Sequence, residues 1–202
     1  MLDNLMRPAA SLSSKCCADI FISSSPSALR EKMRANNLVE FFPERYARRL
    51  ASSNSIYQIF ELVRDAVKEQ VGVVRTGLDL GIVDLEDQGG KAPVALHPMG
   101  CNLLVINRRA VELTGREAQD RQRAMLFHSL LYEYLQTIGF VPEPEVKGKV
   151  QEISLALFGR EHLVTKMAED LEGVLPGTTH SKRMALPAGT EVRSADQLTF
   201  DD

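Results

Sequence analysis

The sequence has few cysteines, no tryptophan and no strong excess of either charge. Its 202 residues include three cysteines and carry a formal net charge of −3 at pH 7. This balance gives no global argument for nucleic-acid binding. No apolar run reaches the roughly 18 residues of a membrane span. The stretch from Met1 to Lys15 has no apolar segment of signal-peptide length, so a cytoplasmic location is expected.

The three cysteines do not form a recognisable metal or redox motif. Cys16 and Cys17 are adjacent and lack the C-x-x-C spacing, and an odd count without a secretion signal predicts reduced thiols. Metal ligation or acylation of Cys16 and Cys17 is the alternative interpretation. Cys101 with His97 would make a nucleophile–base pair, but no orienting acid is evident, and a packed turn is the favoured interpretation.

Motifs for several common activities are also absent. The sequence contains no phosphate-binding G-x-x-x-x-G-K-[ST], no dinucleotide-binding G-x-G-x-x-G and no G-x-S-x-G nucleophile elbow. What remains is a globular composition, with 44% hydrophobic and 25% charged residues, in a chain long enough for one domain and tails.

Hydrophobic periodicity and turn residues predict a single α+β domain. Residues 1–18 are expected to be a flexible N-terminal tail, 19–172 the domain, and 173–202 a flexible C-terminal tail. The unbroken apolar run in Asn102–Asn107 predicts a buried strand, and Val73–Leu85 predicts a strand or a bent pair. Helices are predicted from Ser25, from Phe42, from the capping residue Ser55 to Gly72, and over 108–114, 121–138, 145–158 and 162–171.

The longest predicted helix, Arg121–Ile138, carries an altered metalloprotease pattern. The signature His-Glu-x-x-His places two zinc-binding histidines one helical turn apart, with a glutamate beside the first as general base. In this sequence Tyr132 and Gln136 occupy the two histidine positions, and Glu133 occupies the glutamate position. The pattern therefore indicates the helix of a metalloprotease without its two histidine ligands.

With its flanks, this helix resembles a family of small, largely uncharacterised archaeal zincin-like proteins. The resemblance is carried by Ile106-Asn107-Arg108, by Leu130-Leu131-Tyr132-Glu133-Tyr134-Leu135-Gln136-Thr137-Ile138-Gly139, and by Phe158-Gly159-Arg160-Glu161-His162. It implies a minimal zincin-like domain, in which a short twisted sheet packs on the long motif helix and further helices. The sequence departs from the family pattern at the residues that would hold zinc.

This departure predicts a cleft without a metal or another cofactor. Neutral tyrosine is a poor zinc ligand, and positions 128 and 136 lie about 12 Å apart along a helix, too far to share one ion. His128, Tyr132 and Gln136 are expected to line the cleft, with Glu133 as a vestigial general base. For Glu133 itself the favoured interpretation is a carboxylate that is solvated or paired with an arginine, and the available arginines are Arg108, Arg109, Arg121 and Arg123. A relocated metal site formed by His128, Glu133 and His162 is the alternative for the metal.

Three functions are compatible with these features. The favoured one is a pseudoenzyme, a non-catalytic binding or scaffold module that acts through a protein partner. The second is a metal-dependent hydrolase or peptidase with a relocated metal site. The third is an interaction protein that contacts ribonucleoprotein through Arg45, Arg48 and Arg49, although such charge runs are more often solvated helix faces.

Overall fold

The computed structural model describes residues 41–86, 92–112, 119–180, 185–187 and 189–195. The expectations for the tail at 1–18, the helix from Ser25, and Cys16 and Cys17 therefore lie outside the described residues. The elements, in chain order, are α1 (Phe41–Ala51), α2 (Ile56–Val71), β1 (Asp79–Val83), β2 (Ala92–Pro93), β3 (Ala95–Leu96), β4 (Leu103–Asn107), α3 (Arg108–Glu112), α4 (Gln119–Thr137), α5 (Glu143–Phe158), α6 (Leu163–Glu169), α7 (Leu171–Val174), β5 (Thr178–Thr179) and β6 (Arg193–Ser194).

The main sheet has four strands in the order β3–β4–β1–β6. Strand β4 pairs in parallel with β1 and antiparallel with β3, so it lies in the interior of the sheet. Leu104, Val105 and Ile106 are completely buried. A strand covered on both faces favours a continuous apolar run over an alternating one. The prediction of an interior strand at Asn102–Asn107 is confirmed, as is the α+β class.

Helix α4 lies at the centre of the domain. Every residue from Arg123 to Leu135 is buried, because the helix is surrounded by the sheet and by α1, α2, α5 and α6. Phe127 packs edge-to-face on Phe158 with ring centroids 4.9 Å apart, and Tyr134 packs in the same way on Phe60 at 6.0 Å. A helix covered on all sides carries large side chains around its whole circumference. No helix in the described part of the chain is long and apolar enough to cross a membrane.

The first two helices confirm the predicted helix boundaries and form ion pairs with each other. Ser55 caps α2 by accepting a hydrogen bond from the Gln58 backbone N–H at 3.3 Å, and Gly72 ends it in the left-handed conformation, with φ of 80°. Arg45 of α1 binds Glu69 of α2 at 2.5 Å. These contacts hold α1 against α2.

The packed domain continues beyond residue 172, which corrects the expectation that a tail begins at Gly173. Leu175 and Ala195 are buried, β5 pairs with β2, and β6 pairs antiparallel with β1. At Gly81 of β1, a Cβ atom would lie 2.5 Å from Cγ1 of Val192, so a larger residue here would force the Val192 side chain to move. Two-residue strands and a one-turn helix are too short to produce a hydrophobic period, so the pattern could not predict them.

The buried position of Leu175 leads to a test of this boundary. The change Leu175→Ala should destabilise the protein by roughly 2–5 kcal/mol, because it removes a packed side chain and leaves a cavity. Chemical denaturation of the full chain measures this free energy of unfolding. The matched control is Leu155→Ala, at a position 43% exposed, which should change stability by no more than about 0.5 kcal/mol. Equal, small effects of the two changes would show that residue 175 does not belong to the domain.

Candidate functional site

Helix α4 directs its motif residues toward two different surroundings. His128 and Tyr132 are four positions apart and share a face, while Glu133 is rotated from Tyr132 by about 100°. His128 and Tyr132 line a cavity of about 290 Å³. Glu133 contacts the end of strand β3 instead. Of the four residues predicted for one cleft, the structure thus brings His128 and Tyr132 together in this cavity.

Glu133 is 2% exposed and takes part in a structural hydrogen bond. Its Oε2 accepts from the backbone N–H of His97 at 3.1 Å, and Gln136 Nε2 lies 3.5 Å from the same oxygen. His97 directly follows β3, so the carboxylate connects the central helix to the edge of the sheet. Three arginines proposed as its partners form other ion pairs: Arg108 with Asp84, Arg109 with Glu86 and Arg123 with Asp120.

The cavity is built from the central helix, from α5, and from the C-terminal part of the domain. The central helix contributes His128 and Tyr132, and α5 contributes Lys147 and Val150. The other lining residues come from the end of α6, from α7 and from the segment at β5: Met167, Ala168, Glu169, Asp170, Leu171, Glu172, Thr178, Thr179 and His180. The cavity therefore joins residues that are up to about fifty positions apart in the chain.

His128 is a buried imidazole without a hydrogen-bond partner. It is 1% exposed, and neither Nδ1 nor Nε2 has a partner among the residues that the structure describes. Burial, followed by the neighbouring His180, lowers its pKa to about 3, so the ring is neutral at neutral pH. Leaving a buried polar group unsatisfied costs about 1–3 kcal/mol. Such a group in a native fold calls for an explanation, for which a bound partner is one candidate.

Tyr132 and His180 form a stacked aromatic pair beside His128. Their ring centroids are 3.8 Å apart with an interplanar angle of 11°, and the His128 and His180 centroids are 5.1 Å apart. Burial raises the pKa of Tyr132 to about 12, with help from Glu143 and Glu133. Burial, followed by the charge of Lys147, lowers the pKa of His180 to about 4. All three rings are therefore uncharged at neutral pH.

The zinc site implied by the resemblance does not fit these residues. Tyr132 keeps its proton and stacks on His180, and the Gln136 amide lies against Glu133. A neutral phenol and a neutral amide are poor replacements for two imidazoles. Within the described residues, no group of three His, Cys, Asp or Glu side chains is placed to hold a metal ion.

The relocated metal site of His128, Glu133 and His162 is contradicted in the same way. His162 caps α6, where its Nδ1 accepts a hydrogen bond from the Val164 backbone N–H at 3.2 Å. Its ring packs on Phe158 with centroids 4.7 Å apart, and Glu133 bonds to the backbone after β3. His162 and Glu133 thus serve separate structural contacts, and with His128 they form no group that could hold a metal ion.

The two remaining sequence candidates also have structural contacts. The His97 ring lies 3.1 Å from the carbonyl oxygen of Cys101, and its backbone N–H donates to Glu133, as expected for a packed turn. In the arginine cluster, Arg45 pairs with Glu69 and Arg49 with Asp65, at 2.5 and 2.7 Å. These carboxylates offset much of the positive charge that contact with ribonucleoprotein would use.

Comparison of the chain with models of known families, with curated proteins and with solved structures finds no match. The site residues that sequence reasoning missed are His180, Lys147 and the two threonines at 178 and 179. One signal was present, since His180 is one of four histidines and follows two threonines. Its segment lacks hydrophobic periodicity, however, so the sequence pattern predicts a tail there.

The buried histidines lead to a prediction for acid stability. In the unfolded chain, His128 and His180 become protonated near pH 6.5. In the folded protein they stay neutral to lower pH, because their pKa values are lowered to about 3 and about 4. Their contribution to stability is therefore complete above pH 6.5 and is lost as the pH falls toward these values. Each histidine should lower the folding equilibrium constant by up to about tenfold per pH unit below 6.5.

Urea denaturation of the full chain between pH 7 and pH 4 measures this slope. The change His128→Phe should make it shallower, and His128→Phe combined with His180→Phe should do so further. Burial also lowers the pKa of His162, so that residue should leave a residual slope in the double variant. A double variant as acid-sensitive as the parent would contradict the assignment of buried neutral rings.

Proposed function

We propose that this chain is a non-catalytic binding module, zincin-like in its central helix, that acts through a protein partner. The cavity of His128, Tyr132 and His180 is its binding site. The observation that carries the proposal is the position of Glu133. The only acid in the motif bonds to the backbone after β3, whereas the unsatisfied imidazole of His128 lines the cavity.

Chemical considerations also favour binding over turnover. A general base must lie within hydrogen-bond reach of the proton that it removes. Glu133 is 2% exposed and already accepts from the His97 N–H, so its use as a base would cost a partly buried hydrogen bond. General-base catalysis contributes about 10²- to 10⁴-fold. Enzymes commonly accelerate reactions by about 10⁶-fold or more, so general-base catalysis by Glu133 alone would not give a typical enzymatic rate.

An assay for hydrolysis tests the proposal directly. Purified full-length protein should not cleave an unfolded casein-type substrate, with or without added zinc. The variant Glu133→Gln should behave like the parent, because the amide oxygen still accepts from the His97 N–H. Cleavage by the parent that disappears in Glu133→Gln would overturn the binding-module proposal and support the metal-dependent hydrolase.

A second experiment tests the register of the altered motif. The double change Tyr132→His and Gln136→His should create a zinc site, because it supplies two imidazoles one turn apart and His180 lies against position 132. The parent should retain no stoichiometric zinc after dialysis against a weak chelator. Elemental analysis measures the difference.

The control adds His180→Ala to the double variant. Loss of an outer-shell partner typically weakens metal affinity by about 10- to 100-fold, and loss of a direct ligand should weaken it more. A double variant that takes up no zinc would contradict the proposed register. Unchanged affinity in the triple variant would exclude His180 as the third ligand.

A further inference from the structure

We propose that the cavity of His128, Tyr132 and His180 binds an organic cation, an alkylammonium or guanidinium group. The inference rests on the proposed function and specifies what the module binds. The group would belong either to a lysine or arginine side chain of the partner protein or to a free amine. The dimensions, the unsatisfied histidine and the charge of the lining residues support it separately.

The cavity is large enough to admit a lysine or arginine side chain. Its volume of about 290 Å³ lies just below the roughly 300–1,000 Å³ typical of ligand pockets. Part of its lining is apolar, with Val150 on one side and Met167 and Leu171 on another. Such walls suit the methylene stem of a lysine or arginine side chain, since these stems pack on apolar surface while the charged head seeks polar groups.

The aromatic residues of the cavity offer acceptors to a cation. A neutral imidazole has one N–H donor and one bare nitrogen that accepts. Neither nitrogen of His128 is satisfied by the described residues, and an ammonium or guanidinium group brings several N–H donors. The neutral rings of His180 and Tyr132 lie beside it and do not repel a positive charge.

Among the described residues that line the cavity, Glu169, Asp170 and Glu172 carry exposed carboxylates and Lys147 carries an ammonium group. Lys147 forms a 2.6 Å ion pair with Glu143, which offsets part of its charge, and it also lowers the pKa of His180. A concave site lined mainly by one sign of charge concentrates ligands of the opposite sign. The carboxylates at this cavity therefore favour a cationic ligand over an anionic one.

Titrations of the folded full-length protein test this proposal. The probes are n-butylammonium, N-propylguanidinium and a peptide that has blocked, uncharged termini and one central lysine. Sodium propionate is the anionic control. Imidazole NMR signals of His128 and His180 should shift saturably with the cations and stay unchanged with propionate. Tighter binding of the lysine peptide than of butylammonium assigns the cation to a protein partner. Equal or weaker binding of the peptide assigns it to a free amine.

Matched variants locate the site. His128→Phe should abolish the cation-induced shift at His180, with thermal unfolding confirming that the variant is folded. Glu169→Gln should weaken cation binding by about two- to fivefold, the range of a single exposed charge pair. Glu161→Gln is the control, because Glu161 is an exposed acid that does not line this cavity, and it should leave binding unchanged.

Two results would overturn the inference. Binding of propionate in preference to the cations would reverse the assigned charge. Cation binding that His128→Phe leaves intact would place the site elsewhere. Either result leaves the binding-module proposal standing, since that proposal fails on hydrolysis lost in Glu133→Gln and not on the identity of the ligand.

Discussion

The fold depends on the complete burial of one helix. From Arg123 to Leu135 no residue of α4 remains exposed, and the sheet and the helices α1, α2, α5 and α6 pack around it. Each polar side chain on such a helix must find its partner inside the protein. Arg123 donates to the carbonyl oxygen of Ser53 at 2.9 Å, and Glu133 accepts from the His97 N–H at 3.1 Å. For His128 the described residues supply no hydrogen-bond partner, and this side chain lines the cavity.

Glu133 shows why a motif residue by itself is weak support for catalysis. Its residue type matches the general base of a metalloprotease, which motivated the enzyme alternative. In the structure the carboxylate satisfies a backbone N–H that would otherwise lose a hydrogen bond at the end of β3, and that loss costs about 1–3 kcal/mol when the group is buried. A glutamate at this position thus has a structural role that requires neither metal nor substrate.

The sequence predicted the parts of the fold that have local signals. The apolar run in Asn102–Asn107 identified β4, and Ser55 and Gly72 marked the two ends of α2. The site was predicted only in part, because its other wall comes from Lys147 and His180, and no local pattern connects these residues to Tyr132. The segment around His180 contains a two-residue strand, which is too short to be recognised by periodicity. The second wall of the cavity therefore depends on long-range packing, which local sequence patterns do not reveal.

The unsatisfied His128 bears on whether the cavity is functional. If the site had no ligand, an apolar side chain of similar shape at position 128 would fill the same space without the cost of an unsatisfied buried group. Local breaches of the packing rules occur preferentially at functional sites, where binding repays them. A metal ion is a poor candidate for the ligand, because His128 lies beside the protonated phenol of Tyr132. A cation that donates hydrogen bonds would satisfy the accepting nitrogen of the imidazole and also suit the carboxylates that line the cavity.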